Sequence, residues 1–364
     1  MTMNKWTVGL AAAGLLSLTS VAQAQVATKL ATTSLSGYVS TTYQWQPAAG
    51  GYTTWANGGG KIDNFGLDVV SLSIGSPVSA TATGWQAGYN VQLWAGPDAG
   101  DLATDSTGTN DNDFAIKQAY VAMRAPLGKG LNLAVGVFNT ILGRDDADRN
   151  VNNHYSHSLA WQYLEPSQHT GLKASYQLHE LVGVTALVAN TRDAKINGDD
   201  SSTSDRQTLG LALSLKAPAS AGFLKDATVD AAYISGFTGS DTLSLKSYYV
   251  NVSIPTPIKN LTAAVSLDVV SRTGNGNDDS VLGLHAKYKL SDKASLALRF
   301  ENLQDGASAT LGTNSNAKDV TATLQYDLFA NVISRLEYRR THLDGASAAN
   351  RTSESVFANL IYQF

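Results

Sequence analysis

The sequence contains no cysteine among its 364 residues. This absence excludes a small exported domain that is stabilised by disulfide bonds, so other interactions must stabilise the fold. Charge is also sparse, because charged residues make up only 15% of the chain and the formal net charge is −4. This mild acidity argues against a nucleic-acid partner.

Long apolar runs are missing as well. Beyond residue 24 no hydrophobic stretch approaches the roughly 20 residues that a helix needs to cross a bilayer. A helical membrane protein is therefore excluded, which leaves a soluble all-β protein or a membrane β-barrel. Glycine alone contributes 32 residues, and serine, threonine, asparagine and aspartate are also abundant, a composition that suits many strands and turns.

The first 24 residues differ from the rest of the chain. Lys5 precedes an apolar run at 8–18, and the small residues "AQA" follow at 22–24. This pattern predicts a cleaved secretory signal peptide over residues 1–24, with residues 25–364 as a single domain. A membrane anchor fits poorly because the apolar run is too short.

Alternation of apolar and polar residues recurs along the remainder. In "WQAGYNVQLW" the odd positions from Trp85 to Leu93 are apolar or small, and the even positions between them are Gln86, Gly88, Asn90 and Gln92. Sixteen such segments are predicted as strands. They lie near 35–45, 63–74, 85–94, 114–124, 131–140, 170–178, 181–189, 206–216, 227–235, 244–254, 261–271, 280–290, 294–301, 317–327, 331–341 and 353–364.

The connections alternate in length. Those after odd-numbered segments are mostly long and polar, whereas those after even-numbered segments are mostly short, and all eight prolines are placed in connections. This asymmetry predicts a transmembrane antiparallel β-barrel of about 16 strands, with apolar side chains toward lipid and polar ones toward the lumen. A secreted β-sandwich or β-helix, with its apolar faces packed inward, is the alternative.

The final segment, "VFANLIYQF", predicts a strand that closes the barrel against "LSGYVSTTYQW" near residue 40. Its outward phase would hold Val356 through Phe364 at every second position, although Phe357 and Ile361 place apolar side chains in the polar phase. Aromatic residues near strand ends suit the interfacial girdles of such barrels. These are Trp45, Trp85, Trp94, Phe300, Tyr362 and Phe364.

Two stretches carry a family resemblance. "IKQAYVAMRAPLGKGLNLAVGVFNTILG" (116–143) and "NHYSHSLAWQYLEPSQHTGLKASYQL" (153–178) resemble the porin-2 group of outer-membrane β-barrel porins. The terminal strand ending in phenylalanine is similar to the assembly signal of such barrels, which the resemblance assigns to Tyr362 and Phe364. The resemblance implies a bacterial outer-membrane location, contact with outer-membrane lipid and with the barrel-assembly machinery, and a homotrimer.

The resemblance further implies a porin, that is, an aqueous channel for passive diffusion of small hydrophilic solutes and ions, with no enzymatic activity, cofactor or metal. A substrate-selective channel, for example for sugars, is an alternative, favoured by Tyr38, Tyr120 and Tyr249 in the lumen phase. A structural or adhesive barrel with a plugged lumen is another. No G-x-S-x-G elbow is present, and "HELVG" at His179 lacks the second histidine of a zinc-protease motif.

The longest connection, near 141–169, is the candidate constriction. In porins the loop at this place folds into the lumen, and the resemblance assigns that role here; a solvated surface loop is the alternative. The candidate residues are Arg144, Asp145, Asp146, Asp148, Arg149, His154, His157 and Glu165.

Charged residues in the polar phase of the strands are the candidate pore wall. Their regular phase indicates a face that sees water, because a charge against lipid costs about 2–4 kcal/mol at the midplane. We hypothesise a transverse field between acids on the loop and a basic ladder on the wall, with mutual pairing of structural charges as the alternative. The wall residues are Lys117, Arg124, Lys173, Asp268, Lys287, Lys289, Arg299, Glu301, Arg335, Glu337 and Arg339.

Overall fold

The computed structural model describes residues 33–47, 62–100, 102, 113–192, 207–237, 244–273, 278–305, 316–344 and 351–364. The predicted signal peptide, residues 1–24, lies outside these residues. Contacts divide the chain after Ser34, and the architecture below is that of the second unit, Leu35–Phe364.

Sixteen strands form a closed barrel in which neighbours in sequence are neighbours in space. The predicted fold class is confirmed, and each of the sixteen predicted segments corresponds to one strand. The strands are β1 (Ser34–Trp45), β2 (Asn64–Ser76), β3 (Gln86–Ala95), β4 (Phe114–Ala125), β5 (Leu131–Asn139), β6 (Gln168–His179), β7 (Val182–Ala189), β8 (Thr208–Lys216), β9 (Thr228–Phe237), β10 (Ser244–Pro255), β11 (Leu261–Arg272), β12 (Asp279–Lys289), β13 (Ala294–Asp305), β14 (Asn316–Phe329), β15 (Val332–Asp344) and β16 (Arg351–Gln363).

Strand edges differ from the predictions by a few residues. The largest difference is at β13, which continues to Asp305 because Leu303 and Asp305 extend the ladder opposite Val281 and Asp279. At the end of β10, Pro255 pairs with Thr262 rather than lying in the connection. A terminal strand position tolerates proline, since no further ladder hydrogen bond depends on its missing N–H.

The barrel closes where β1 meets β16. Val39 lies opposite Tyr362 and Thr41 opposite Leu360 in an antiparallel register. The backbone N–H of Gly37 donates to the carbonyl of Phe364 at 2.9 Å, and the N–H of Phe364 donates back at 3.0 Å. The predicted closure of the last strand on the first is therefore confirmed.

Side chains alternate between the two faces of the wall. On β8, Leu209, Leu211 and Leu213 point outward and are exposed, as the period of two requires. The same alternation corrects one aromatic assignment. Trp94 was predicted to join an outer girdle, but it shares the inward phase of Gln92, is 2% exposed and donates its indole N–H to Ser71.

Helices are short and lie in the connections. Helix α1 spans Pro97–Gly100, helix α2 spans Leu159–Tyr163, and a 3-10 helix spans Ala219–Leu224. The Ser158 hydroxyl caps α2 by accepting the N–H of Trp161. Among the described residues, no helix is both long and apolar enough to cross a membrane.

Helix α2 belongs to the connection between β5 and β6, residues 140–167, called the 140–167 loop below. The connection is two residues shorter at its end than predicted, because Gln168 and His169 pair with Asn139 and Phe138 on β5. Buried apolar side chains concentrate where this loop meets the inward face of the strands. Leu159 and Leu164, for example, pack with Leu245, Val281, Leu303 and Leu343. The main core therefore lies inside the barrel, between loop and wall.

Candidate functional site

Lys117 holds two acids of the 140–167 loop. Its ammonium lies 2.9 Å from Asp146 and 2.5 Å from Asp148, and the lysine side chain is fully buried. Lys117 is the extra residue of a bulge on β4, where the register opposite Gln92 and Leu93 shifts. The bulge explains how Lys117 and Arg124, at odd and even positions, share the inward phase.

Arg299 on β13 holds the next part of the loop. Its guanidinium lies 3.4 Å from Asp145 and donates to the carbonyls of Ser156 at 3.0 Å and His157 at 3.2 Å. Burial raises the pKa of Asp145, but the Arg299 charge, together with His157, His154 and the N–H of Ser158, outweighs burial, and the pKa falls to about 2. The carboxyl is therefore ionised at neutral pH and keeps its ion pair.

Acids of the wall bind backbone N–H groups of the loop. The Glu337 carboxylate accepts the N–H of Tyr155 at 2.6 Å and that of Ser156 at 2.9 Å. The Glu301 carboxylate accepts the N–H of Leu159 at the start of α2, at 2.9 Å. A carboxylate is well suited to this position, because the first N–H groups of a helix have no partner within the helix.

Arginines of β15 bind carbonyl groups of the loop. Arg335 donates to the carbonyls of Arg149 at 2.8 Å and Asn152 at 2.6 Å. Arg339 donates to the carbonyl of His157 at 2.9 Å. Arg335 and Arg339, two members of the predicted basic ladder, therefore bond to the loop backbone.

A second loop also takes part. Arg149 forms a buried ion pair with Asp98 of α1, at 2.5 Å, and its guanidinium stacks over the Tyr155 ring. Burial lowers the pKa of Arg149, but Asp98, Tyr155 and Asp68 together outweigh burial and hold that pKa well above its ordinary value. The pair therefore joins the 140–167 loop to the connection after β3.

The other predicted residues are spread over the lumen. Lys287 donates to the Asn153 side chain at 2.9 Å, and Lys173 lies over the Phe138 ring. Lys289 pairs with the exposed Asp292 at the turn after β12 and does not reach the loop.

Three further predicted residues are Arg124, Glu165 and Asp268. Arg124 donates to the Asn132 side chain and to the carbonyl of Lys129, at the turn after β4. Glu165 lies beside Asp268, and its carboxylate occupies the space that a side chain on Gly143 would need. Burial, followed by the Asp268 charge, raises the pKa of Glu165 well above its ordinary value.

Some inward acids were not predicted from the sequence, among them Asp68, Asp319 and Asp230. Asp68 on β2 accepts the Tyr155 hydroxyl at 2.8 Å, and Asp319 on β14 lies 2.6 Å from Arg339. Asp230 on β9 accepts the Ser214 hydroxyl at 2.6 Å. All three lie in the polar phase of their strands, so the criterion that selected Glu301 and Glu337 would have found them.

Two histidines of the loop are buried. His154 bonds to the Thr323 hydroxyl at 2.7 Å, and the His157 ring stacks on Trp161 at 3.8 Å between centroids. Burial, followed by Arg149, lowers the pKa of His157 from 6.5 to about 4. Burial, followed by Arg299, lowers the pKa of His154 well below its ordinary value.

We expect acid to loosen the loop. Below pH 6.5 a released histidine binds a proton that the docked ring resists until about pH 4, so stability of the docked loop falls across this window. Single-channel recordings between pH 7 and pH 4 should show more frequent conductance steps as the pH falls. Replacing both His154 and His157 with glutamine should flatten this response, whereas replacing the exposed His179 should not; an equal response in all variants would contradict the assignment.

A cavity of about 680 Å³ lies between the 140–167 loop and the inward face of β5–β10. Small polar side chains such as Ser175, Thr185 and Asn251 line much of it. Its charged lining residues are Arg144, Asp145 and Asp230, and Tyr249 adds an aromatic ring. Within the described part of the chain, no group of three or more His, Cys, Asp or Glu side chains is placed to hold a metal ion.

Solved structures share the architecture. OmpF of Salmonella typhi in complex with daunomycin has a TM-score of 0.63 at 13% identity, over 91% of this chain and 97% of that one. An anion-selective porin from Comamonas acidovorans gives 0.60 at 11%, over 91% and 99%. The trimer form of OmpT, an outer membrane protein of Vibrio cholerae, gives 0.60 at 12%, over 92% and 99%. At these identities the likeness concerns the fold alone.

No curated protein matches the sequence. The family described as putative beta-barrel porin-2, OmpL-like, matches residues 32–364, which include all sixteen strands. The resemblance found in the two sequence stretches is thus confirmed over nearly the whole chain. The protein belongs to the putative beta-barrel porin-2, OmpL-like family and is a channel of the bacterial outer membrane.

Proposed function

We propose that this channel passes small hydrophilic solutes and ions by passive diffusion, between the 140–167 loop and the inward face of β5–β10. The observation that carries the proposal is the polar cavity of about 680 Å³ on that side. In this role the loop constricts the lumen and the cavity residues form the pore wall. A sixteen-strand barrel has room for such a passage, whereas the lumen of an eight-strand barrel is filled by its own side chains.

The route follows from where the loop is attached. Its bonds reach β1 through Tyr38, β4 through Lys117 and β12 through Lys287. They continue on β13 and β15 through Arg299 and Arg335. The cavity instead lies against β5–β10, so solutes would pass on the side opposite most of these attachments.

The other partners in the proposal follow the family and the outward surface. Outer-membrane lipid would cover the exposed leucines of strands such as β8. Tyr362 and Phe364 lie outward at the closing seam, each about half exposed, where the barrel-assembly machinery could reach them. Three copies would associate side by side as a homotrimer, and the channel would need no cofactor and catalyse no reaction.

Planar-bilayer recording of the refolded chain tests the proposal. We expect stepwise currents that rise linearly with salt concentration, because diffusion through a water-filled path does not saturate. Saturable block by a sugar would favour a selective channel, for which Tyr249 and Asn251 in the cavity are the supporting feature. No current from correctly folded protein would contradict the proposal and favour a plugged barrel, consistent with the many strands that the loop contacts.

A further inference from the structure

Many charged side chains between the loop and the wall form ion pairs with one another. Asp146 and Asp148 share Lys117, and Asp145 faces Arg299. Charges that are paired at such short range present little net field to a passing solute. The selectivity of the channel must therefore come from charged groups that line the cavity without an opposite charge beside them.

Arg144 is one such group. Its guanidinium reaches from the loop to β10 and donates to the Asn251 side chain at 2.9 Å and to the Ser253 hydroxyl at 3.1 Å. Both acceptors are neutral, and among the described residues Arg144 forms no ion pair. A guanidinium has five N–H donors, so most of its donors remain available to a ligand.

Asp230 is the other. It lies on β9 and accepts the hydroxyl of Ser214, which is opposite it on β8. Asp230 is also directly opposite Asn251, the residue that Arg144 binds. Opposite residues of neighbouring strands have Cβ atoms about 5 Å apart, so the guanidinium of Arg144 and the side chain of Asp230 both lie close to Asn251.

We propose that Arg144 and Asp230 form a binding site for small zwitterions of the amino-acid class within the channel. The site rests on the proposed permeation route, because both residues line its cavity. The carboxylate of the solute would bind the guanidinium of Arg144, and its ammonium would bind the carboxylate of Asp230.

Charge balance gives the site its selectivity. A simple anion is attracted by Arg144 but repelled by Asp230. A simple cation is attracted by Asp230 but repelled by Arg144. A zwitterion satisfies both charges at once through charge-assisted hydrogen bonds. The direction of this field is also the opposite of the one predicted from the sequence, since the cation is on the loop and the acid is on the wall.

Glycine block of single-channel current tests the site, with the refolded full-length chain in planar bilayers at neutral pH. We expect glycine to interrupt the current at lower concentration than acetate or methylammonium. Arg144→Gln and Asp230→Asn should each raise the half-blocking glycine concentration on the order of tenfold, because each removes one charged hydrogen-bonding partner. Asp230→Glu, which keeps the charge, should retain most of the block.

The matched controls are Arg340→Gln and Asp292→Asn. Arg340 pairs with Glu354 on the outer face of the barrel, and Asp292 is almost fully exposed in a turn. Equal block by glycine in the wild type and in the two cavity variants would overturn the site, as would equal block by acetate. A wild type without current would instead overturn the proposed function, and the site's role in permeation with it.

Discussion

Replacing Arg299 with methionine is expected to release the middle of the 140–167 loop and to raise the unit conductance of the channel. Arg299 is fully buried and holds Asp145 together with the carbonyls of Ser156 and His157. Glu301, 3.1 Å from the guanidinium, would lose its cationic partner as well. Removing one member of a buried ion pair costs about 3–5 kcal/mol, because the remaining charges stay buried without compensation.

Single-channel recording and urea unfolding measure this effect together. The variant should show larger, noisier conductance steps while its sixteen-strand barrel still forms, which heat-modifiable migration in gels can verify. Arg340→Met is the matched control, since Arg340 lies outward, is half exposed and should matter little. Unchanged conductance in Arg299→Met would show that this arginine does not hold the loop.

Replacing Phe357 with alanine should destabilise the protein by a similar amount without changing any charge. Phe357 on β16 is completely buried, and its ring lies 5.0 Å from that of Tyr155 in the loop. Tyr155 in turn donates its hydroxyl to Asp68 and its N–H to Glu337. Truncating a buried phenylalanine costs about 3–5 kcal/mol, through lost burial and the cavity left behind.

The comparison with Leu360→Ala separates this packing from the lipid-facing surface. Leu360 lies on the same strand but points outward and is half exposed. Urea unfolding in lipid vesicles should show a clearly larger loss of unfolding free energy for Phe357→Ala than for Leu360→Ala. Equal losses would mean that the contact with Tyr155 does not stabilise the loop.

The sequence predicted the barrel because a strand period of two is a local property. The alternation around Leu209–Leu213 follows from residues that are near neighbours on one strand. The closure that sets Val39 opposite Tyr362 joins the first strand to the last, and it was predicted because both end segments show the same alternation. The same periodicity marked Phe357 and Ile361 as exceptions, because they are apolar in the polar phase. The structure explains both: their side chains are buried inside the barrel, where they pack with residues of the 140–167 loop.

The arrangement of the loop could not be predicted in the same way. Residues 140–167 have no period, so their path depends on contacts far away in sequence, such as Arg144 with Asn251 and Arg149 with Asp98. Charge type alone suggested that acids of the loop would face a basic wall. It could not show that those acids are paired, nor that Arg144 and Asp230 would line the same cavity.

Cysteine accessibility during current recording tests the route most directly, because the chain has no cysteine of its own. Ser214→Cys places a thiol in the cavity, and Thr323→Cys places one on β14, where the native hydroxyl is covered by His154. A positively charged thiol reagent should reduce the current through the Ser214 variant and leave that through the Thr323 variant unchanged. Block at Thr323 with none at Ser214 would contradict a path between the loop and β5–β10.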